Sequence, residues 1–507
     1  MKAATAVGRL EVELSGSLLT EAEAGRLAAV TVRQRLSMPA QLELLFQGAD
    51  ADLAGKVAVL VGLSAVVRGD PDRETLFKGD VTAVEFGYGP DGGLDIRVRA
   101  YDALHRLRKR QSVRGFSDLD VGGLANQLAG AIGLSVNARD SGHQRPQVVQ
   151  WRQTDLGLLS EATAAAGLYF VATPDSLELF SLEGGKGASI DLSLGDDLFE
   201  AGFEINGDDA VDSISAVGWD PTTGKRFEEK ATSARSGRTA GARVPLGDLG
   251  GEPQRMLANV VGRDADDVRA LAQGGLDRAI ASQVVLRGVA AGDARIRPGA
   301  TVSVEHVAQA FTGDYQVTEA THMIDAEHGY VTTFSTAPPS VLDTPVGAVV
   351  APGIVERVDD PDGKGRVAVS LPTLPSVETE WMRVLLPGVG EKKGLVALPN
   401  KGDEVLVLFP SGDPAAGVVL GGLFAGGDAP DFGVVSGKIQ KYSWRTKQGQ
   451  RIELDEANHR IKLVIPNGSA ITLSRNQVSI NAATDMEIAA PGKTIVIKAN
   501  AVDFQRA

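Results

Sequence analysis

The clearest hydrophobic pattern of the chain lies at its C-terminal end. From about Val435 onward, apolar residues come in pairs two positions apart: Ile452/Leu454, Ile461/Leu463, Ile471/Leu473, Val478/Ile480, Met486/Ile488, Ile495/Ile497 and Val502/Phe504. Successive pairs start 9, 10, 7, 8, 9 and 7 residues apart, with turn residues such as Pro466-Asn467-Gly468 and Pro491-Gly492 between them. An i, i+2 period puts both members of a pair on one face of a strand and fits no helix. The spacing predicts a β-helix or prism with one short strand per wall. A single chain cannot bury two apolar residues per strand alone, whereas three chains about one axis can turn every pair inward. A single-chain solenoid needs ~20 residues per coil and would close about two or three coils here. The expectation is therefore an intertwined trimeric needle with a core of Ile452, Leu454, Ile461, Leu463, Ile471, Leu473, Val478, Ile480, Ile495 and Ile497.

Upstream, the pattern changes twice. Residues 1–345 mix strand-like alternation, as in Phe77 to Phe86 and Leu94 to Arg99, with helical spacing in Asp118 to Leu134, Thr154 to Ala166 and Asp264 to Ser282. Thr154 is a candidate N-cap, and Gly167 a candidate stop. Prolines near Ala337-Pro338-Pro339 and Asp343-Thr344-Pro345 mark a linker. Residues 346–434 then read as purely β, with strands expected at Gly353 to Val358, Arg366 to Leu371, Trp381 to Leu386, Gly394 to Leu398, Glu404 to Phe409 and Gly417 to Phe424. Turn clusters such as Asp360-Pro361-Asp362-Gly363 separate them. Several strands in so short a stretch predict a small closed barrel of the OB type. Residues 435–507 form the needle. The fold class is mainly β with some α.

Composition narrows the function classes. The 507 residues are 43% hydrophobic and 23% charged but only 5% aromatic, and 60 glycines favour short strands and many turns. There is no cysteine, hence no disulfide and no thiolate metal site. A net charge of −14 argues against a nucleic-acid binder. The charge is uneven: Ser436 to Ala507 holds 11 Lys or Arg against 6 Asp or Glu, a net of +5, which leaves −19 for the rest. The first residues mix Lys2, Arg9, Glu11 and Glu13 with apolar ones and lack a signal-peptide core. The apolar run Val57 to Val67 is shorter than the ~20 residues that span a bilayer.

Catalytic and metal motifs fail on their spacing. Gly492-Lys493-Thr494 ends like a phosphate-binding loop, but Glu487 stands where its upstream glycine is required. His306, His322 and His328 match no common zinc spacing. Asp360-Pro361-Asp362-Gly363 lacks the later acidic ligands of a calcium loop and reads as a hairpin turn. No catalytic, cofactor or metal residue is assigned.

Three stretches together resemble the hub and spike proteins of contractile phage tails, type VI secretion (VgrG) and extracellular contractile injection systems. The first is Phe77-Lys78-Gly79-Asp80-Val81, then Arg99-Ala100-Tyr101-Asp102-Ala103-Leu104-His105-Arg106-Leu107, then Trp151 to Glu161 leading to Ala166-Gly167-Leu168-Tyr169-Phe170. The second runs from Asp360-Pro361-Asp362-Gly363-Lys364-Gly365-Arg366-Val367 through Trp381-Met382-Arg383-Val384, Leu398 to Val407 and Gly412-Asp413-Pro414 to Val419-Leu420-Gly421-Gly422-Leu423. The third is the paired-apolar tail. The resemblance implies a homotrimer with a hub of β-barrels and helices, an OB-fold barrel and a β-helix spike. Its implied partners are an inner tube protein, baseplate proteins, a conical PAAR-like tip protein seated on Val502 and Phe504, effector cargo and a target membrane, with no nucleic acid. It also implies assembly in the bacterial cytoplasm and action in a phage-tail-like particle after release. About ten residues separate Gly427 from Gly437, too few for the lysozyme domain of some phage spikes. A glycan-binding tail adhesin and a cell-wall hydrolase are the other readings.

Overall fold

Strand Leu27–Arg35 organises the first half of the structure. It pairs antiparallel with its sequence neighbour Gln41–Phe46 on one side and with the distant Glu319–Asp325 on the other. The eleven-stranded sheet that results continues through Leu94–Tyr101 and Glu74–Tyr88 in one direction and through Gly329–Ser335 and Val284–Ala291 in the other. Alternation decides which side is buried: Val30, Val32, Leu42, Leu44, Phe46, Ile96, Val98 and Ala100 all enter one core. A computed structural model of the chain describes residues 10–505 apart from 70–73, 91, 186, 209, 221–224, 247–251, 258–263, 341–346, 373–377, 411 and 425–431. Of the expected linker, Asp343, Thr344 and Pro345 fall outside the described residues. The chain divides into two compact units, Met1–Leu423 and Phe424–Ala507. No helix among the described residues is long and apolar enough to cross a membrane.

Helices fill a second core beside the large sheet. Helix Asp155–Ala165 starts where expected, with the Thr154 hydroxyl accepting the Gly157 N–H at 3.1 Å. It packs with helix Val121–Gly130 around Leu124, Leu128, Leu158, Leu159 and Phe170. The helix expected from Asp118 begins only at Val121. Asp118 has φ +53, and the Asp120 carboxylate accepts the Gly123 N–H at 2.6 Å, so Leu119 ends the strand Arg114–Leu119 instead. A third helix, Ala265–Gln283, is capped by Asp264, which accepts the Asp267 N–H at 2.8 Å.

Strands Val349–Arg357, Ala368–Ser370, Arg383–Val384, Glu404–Phe409 and Val418–Gly422 form a five-stranded sheet. Bridges Val367–Met382 and Ser370–Glu378 join its two edges and close it into a barrel. Its core of Val355, Val367, Val369, Met382, Val405, Val407, Phe409 and Val419 also takes in Val149 from strand Arg145–Gln150. The Gln147 side chain, two residues earlier, donates to the Glu378 carbonyl at 2.8 Å. The barrel thus shares a core with the residues before it. Gly394 to Leu398, expected as a strand, is an exposed loop. Gly394 sits at φ +143, and Leu395 N–H donates back to the Pro387 carbonyl.

The second unit is a meander. Strands Lys441–Arg445, Arg451–Asp455, Arg460–Val464, Ala470–Ser474 and Val478–Asn481 pair antiparallel, each with the next. The paired-apolar segments up to Ile480 are therefore neighbouring strands of one sheet within one chain. Their short turns, such as Pro466-Asn467-Gly468, return the chain beside itself.

Candidate functional site

The register of the meander lines its apolar residues up across all five strands. Trp444, Ile452, Leu463, Ile471 and Ile480 are successive cross-strand partners, and so are Tyr442, Leu454, Ile461, Leu473 and Val478. All ten belong to the same face, because each strand contributes positions two apart. At ~4.8 Å between strands, each column is about 19 Å long. These side chains remain between 37% and 67% exposed. With half of each large side chain open, the uncovered apolar surface is on the order of 900 Å², above the roughly 300–600 Å² of the largest patch on a typical monomer. The column beginning at Trp444 lines a hollow of about 520 Å³.

The opposite face is built of charge. Lys441, Asp455 and Arg460 are cross-strand partners, as are Glu453 and Lys462. Arg460 Nη2 lies 2.9 Å from Asp455 Oδ2 and 3.7 Å from Glu453 Oε1, and both carboxylates are buried beneath their basic neighbours. Hydrogen bonds from Asn458 hold the Asp455 carboxyl below the usual carboxylate range. The sheet is inside-out for a single chain, with satisfied ions on one side and bare aliphatic side chains on the other.

The structure brings eight of the ten expected core residues onto this face. Ile495 and Ile497, and the expected platform residues Val502 and Phe504, lie beyond the last strand and are exposed, Phe504 to 89%. The aromatic start of the two columns, Tyr442 and Trp444, was missed in the sequence reading. Their i, i+2 spacing within Lys441-Tyr442-Ser443-Trp444-Arg445 carried the signal.

The motifs set aside for chemistry resolve into structural parts. Lys493 N–H closes a turn onto the Ala490 carbonyl. Asp360 accepts from Arg366 Nε at 3.1 Å and Nη2 at 2.6 Å, and from the N–H groups of Asp362, Lys364 and Arg366. Hydrogen bonding to Arg366 holds its carboxyl far below the usual range. Of the three histidines, His322 is fully buried with Nδ1 at 3.1 Å from the Tyr330 hydroxyl and 3.0 Å from that of Thr332, whereas His328 lies beside Asp325 in an exposed hairpin. Among the described residues, one group of three potential ligands converges: His143, Asp264 and Asp267. There His143 Nε2 lies 2.5 Å from Asp267 Oδ1, Arg145 Nη2 lies 3.2 Å from the same oxygen, and Asp264 caps the helix. A guanidinium already serves that carboxylate, so the cluster ties strand to helix.

Residues 351–424 match the family model of the type VI secretion system/phage-baseplate injector OB domain. A component of the E. coli type VI secretion system, c3393, described as structurally similar to the T4 bacteriophage tail proteins gp27 and gp5, superposes with TM-score 0.52 at 15% identity, over 78% of this chain and 96% of that one. A Francisella PdpA-VgrG complex in its lidded form gives TM-score 0.57 at 8% identity, over 94% of this chain and 80% of that one. The half-lidded form of that complex gives 0.56 at 7%, over 93% and 88%. No curated protein sequence matches significantly. The protein has the mainly β fold of VgrG-like hub and spike proteins. It belongs to the family whose model is described as the Alg8 N-terminal domain, which matches residues 56–326, more than half of the chain.

Proposed function

We propose that this protein is a structural hub-and-spike subunit of a contractile injection machine, and that it works as a homotrimer. The observation that carries the reading is the bare two-column apolar face of Lys441–Asn481, in a chain that also holds an injector-type OB barrel and a hub fold. Three such faces turned toward a common axis would bury one another and leave the charged faces in water, as the hydrophobic effect and the cost of burying ions both require. Closing three sheets about an axis would make a stiff rod suited to bearing axial load.

In this reading residues 1–345 seat the trimer on the inner tube and baseplate, 346–434 form the OB collar, and 435–507 are the needle. Val502 and Phe504 would receive a conical tip protein, and contraction would drive the needle through a target membrane, with cargo carried on the assembly. The subunit would be made in the bacterial cytoplasm and act from a phage-tail-like particle. Its work would be mechanical, with no catalytic step.

The test is the mass of the purified chain in solution by light scattering. Three times 52.9 kDa, about 159 kDa, is expected. A well-folded monomer at micromolar concentration would overturn the reading.

A further inference from the structure

Between Leu104 and Arg114 the chain carries Arg106, Arg108, Lys109, Arg110 and Arg114 and no acidic residue, in a protein whose net charge is −14. Arg106 and Arg108 lie on the short helix Leu104–Arg108, and Lys109 ends it. Two carboxylates answer this run. The partly buried Asp80 accepts from Arg106 Nε at 2.7 Å and Nη2 at 2.8 Å, with His105 Nε2 at 2.9 Å. The buried Asp155 accepts from Arg110 Nε at 3.1 Å and Arg114 Nη2 at 3.0 Å. The Arg108 guanidinium lies over the Tyr101 ring, 4.9 Å from its centre. The Lys109 side chain is exposed, and its ammonium has no partner among the described residues. Five cations against two carboxylates leave a positive excess on this face.

The same face borders a cavity of about 550 Å³, in which Val61, Val81 and Ile132 join Arg106, Lys109 and Arg110 as lining. Val61 stands on a loop that holds its apolar side chains out. Gly62, at φ +89, donates its N–H to the Val81 carbonyl, and Val81 N–H donates back to the Leu63 carbonyl, both at 2.8 Å. Leu63 N–H closes the turn onto the Leu60 carbonyl. With the backbone fixed in this way, Val59, Val61 and Leu63 are 70%, 58% and 40% exposed. A merely solvated face would carry polar residues at these positions. Aliphatic side chains grouped beside a cationic cavity instead have the make-up of a protein contact, with an apolar centre and a charged rim.

We propose that the cleft between residues 59–63 and helix Leu104–Arg108 docks an acidic segment of another protein. An aliphatic side chain of that segment enters the cavity beside Val61 and Ile132, and its carboxylates meet Arg106, Lys109 and Arg110. Charge complementarity selects the occupant, because the cleft offers cations in excess of its own acids. The two bonds to Asp80 hold the Arg106 fork in place, so little of its freedom is lost on binding, while its Nη1 stays without a partner among the described residues. A polynucleotide would use the cations but leave the aliphatic wall unfilled. Proteins that bind single strands also stack bases on aromatic rings, and no Phe, Tyr or Trp is among the described residues that line the cavity. The cleft lies wholly within the first unit and is independent of the needle.

Fluorescence anisotropy of a labelled peptide, a run of glutamates with one central leucine, tests this on the full-length protein. The peptide should bind saturably at low ionic strength and weaken as salt is added. Lys109→Glu changes an exposed side chain without a partner, so the fold should survive it, and it should weaken binding at least roughly 10-fold. Val61→Ser should weaken it roughly 5-fold or more, and so should replacing the leucine of the peptide by serine. Lys392→Glu, at an exposed lysine of the OB-barrel loop, should leave binding unchanged. Absence of saturable binding overturns the proposal, as does an equal loss with Lys392→Glu or a serine peptide that binds as well as the leucine one. Tighter binding of a labelled DNA duplex than of the peptide would overturn it in favour of nucleic acid. A solution mass of Lys109→Glu or Val61→Ser that departs from the parent's would overturn it in favour of a contact between copies of this chain.

Discussion

Ile461 lies directly opposite Leu473 in the register of adjacent strands, yet they remain 45% and 43% exposed. Cross-strand aliphatic partners of that kind normally sit in a core. Here they lie on an open apolar face, and that face sets the first prediction. In the proposed trimer, Leu473→Asp would bring three carboxylates together near the axis, at a cost of several kcal/mol. The variant should scatter as a monomer. Thr472→Asp, one residue away and on the charged face, should keep the parent mass, because a period of two separates the faces. Equal behaviour of the two variants would rule out the buried apolar face.

The hairpin of the OB barrel depends on Asp360 and Arg366. The guanidinium is almost wholly buried and reaches both Asp360 and Asp362, while three backbone N–H groups converge on the Asp360 carboxylate. Arg366→Ala leaves that carboxylate without its counter-ion. It should lower the melting temperature and open the Asp359 to Gly365 turn to trypsin at Lys364. Arg366→Lys should rescue only partly, since an ammonium cannot reproduce the fork of the guanidinium. The Asp360 carboxyl is held below its unfolded value of ~3.9, so its contribution is present above that pH and fades on further acidification.

Local signals were legible in the sequence, and long-range ones were not. Thr154 and Gly167 bracket their helix as read, and the alternation of Leu94 to Arg99 became a strand, because caps and period-two burial are decided by neighbours in the chain. The pairing of Leu27–Arg35 with Glu319–Asp325, and the His143–Asp267 tie across 124 positions, left no local mark. Leu119 was drawn into a helix by its spacing, but the left-handed backbone of Asp118, the cap at Asp120 and the pairing of Leu119 with Arg145 exclude it. The apolar pairs announced a face that needs covering. That the first of them would be neighbours in one chain's own meander depended on turn geometry and cross-strand charge, which apolar spacing does not encode.

Two buried groups of the first unit should push its stability in opposite directions between pH 4 and 7. Burial pushes the Asp102 carboxyl up to about 7 and His322 down to about 4. The folded pKa of Asp102 is above its unfolded ~3.9, so its contribution is full below pH 4 and is lost as pH rises toward 7. The folded pKa of His322 is below its unfolded ~6.5, so its contribution is present above that pH and is lost as pH falls toward 4. Each swing is roughly 3–4 kcal/mol. Melting temperature against pH should therefore tilt in opposite directions in two variants. Asp102→Asn should become acid-sensitive, and His322→Gln should become less stable as pH rises. Parallel profiles for both variants and the parent would contradict the assignment.

Gly167 and Gly274 meet where helix Asp155–Ala165 ends against helix Ala265–Gln283. A Cβ on Gly167 would stand 2.6 Å from Gly274 Cα, and one on Gly274 would stand 2.7 Å from Gly167 Cα. Gly167 also has φ +67, which a side chain resists. Gly167→Ala thus carries both penalties and should cost roughly 2–5 kcal/mol, the left-handed backbone and the overpacking together. Gly274→Ala meets the same obstruction but gains about 1 kcal/mol of helix propensity, so its net cost should be roughly 0–2 kcal/mol. The double variant should be worse than the sum of the two, because the added methyls then face each other across a gap that admits neither. Chemical denaturation of the four proteins measures all three quantities. Additive effects would mean that the helices separate freely at this point, and that the glycine before Leu168-Tyr169-Phe170 serves the turn alone.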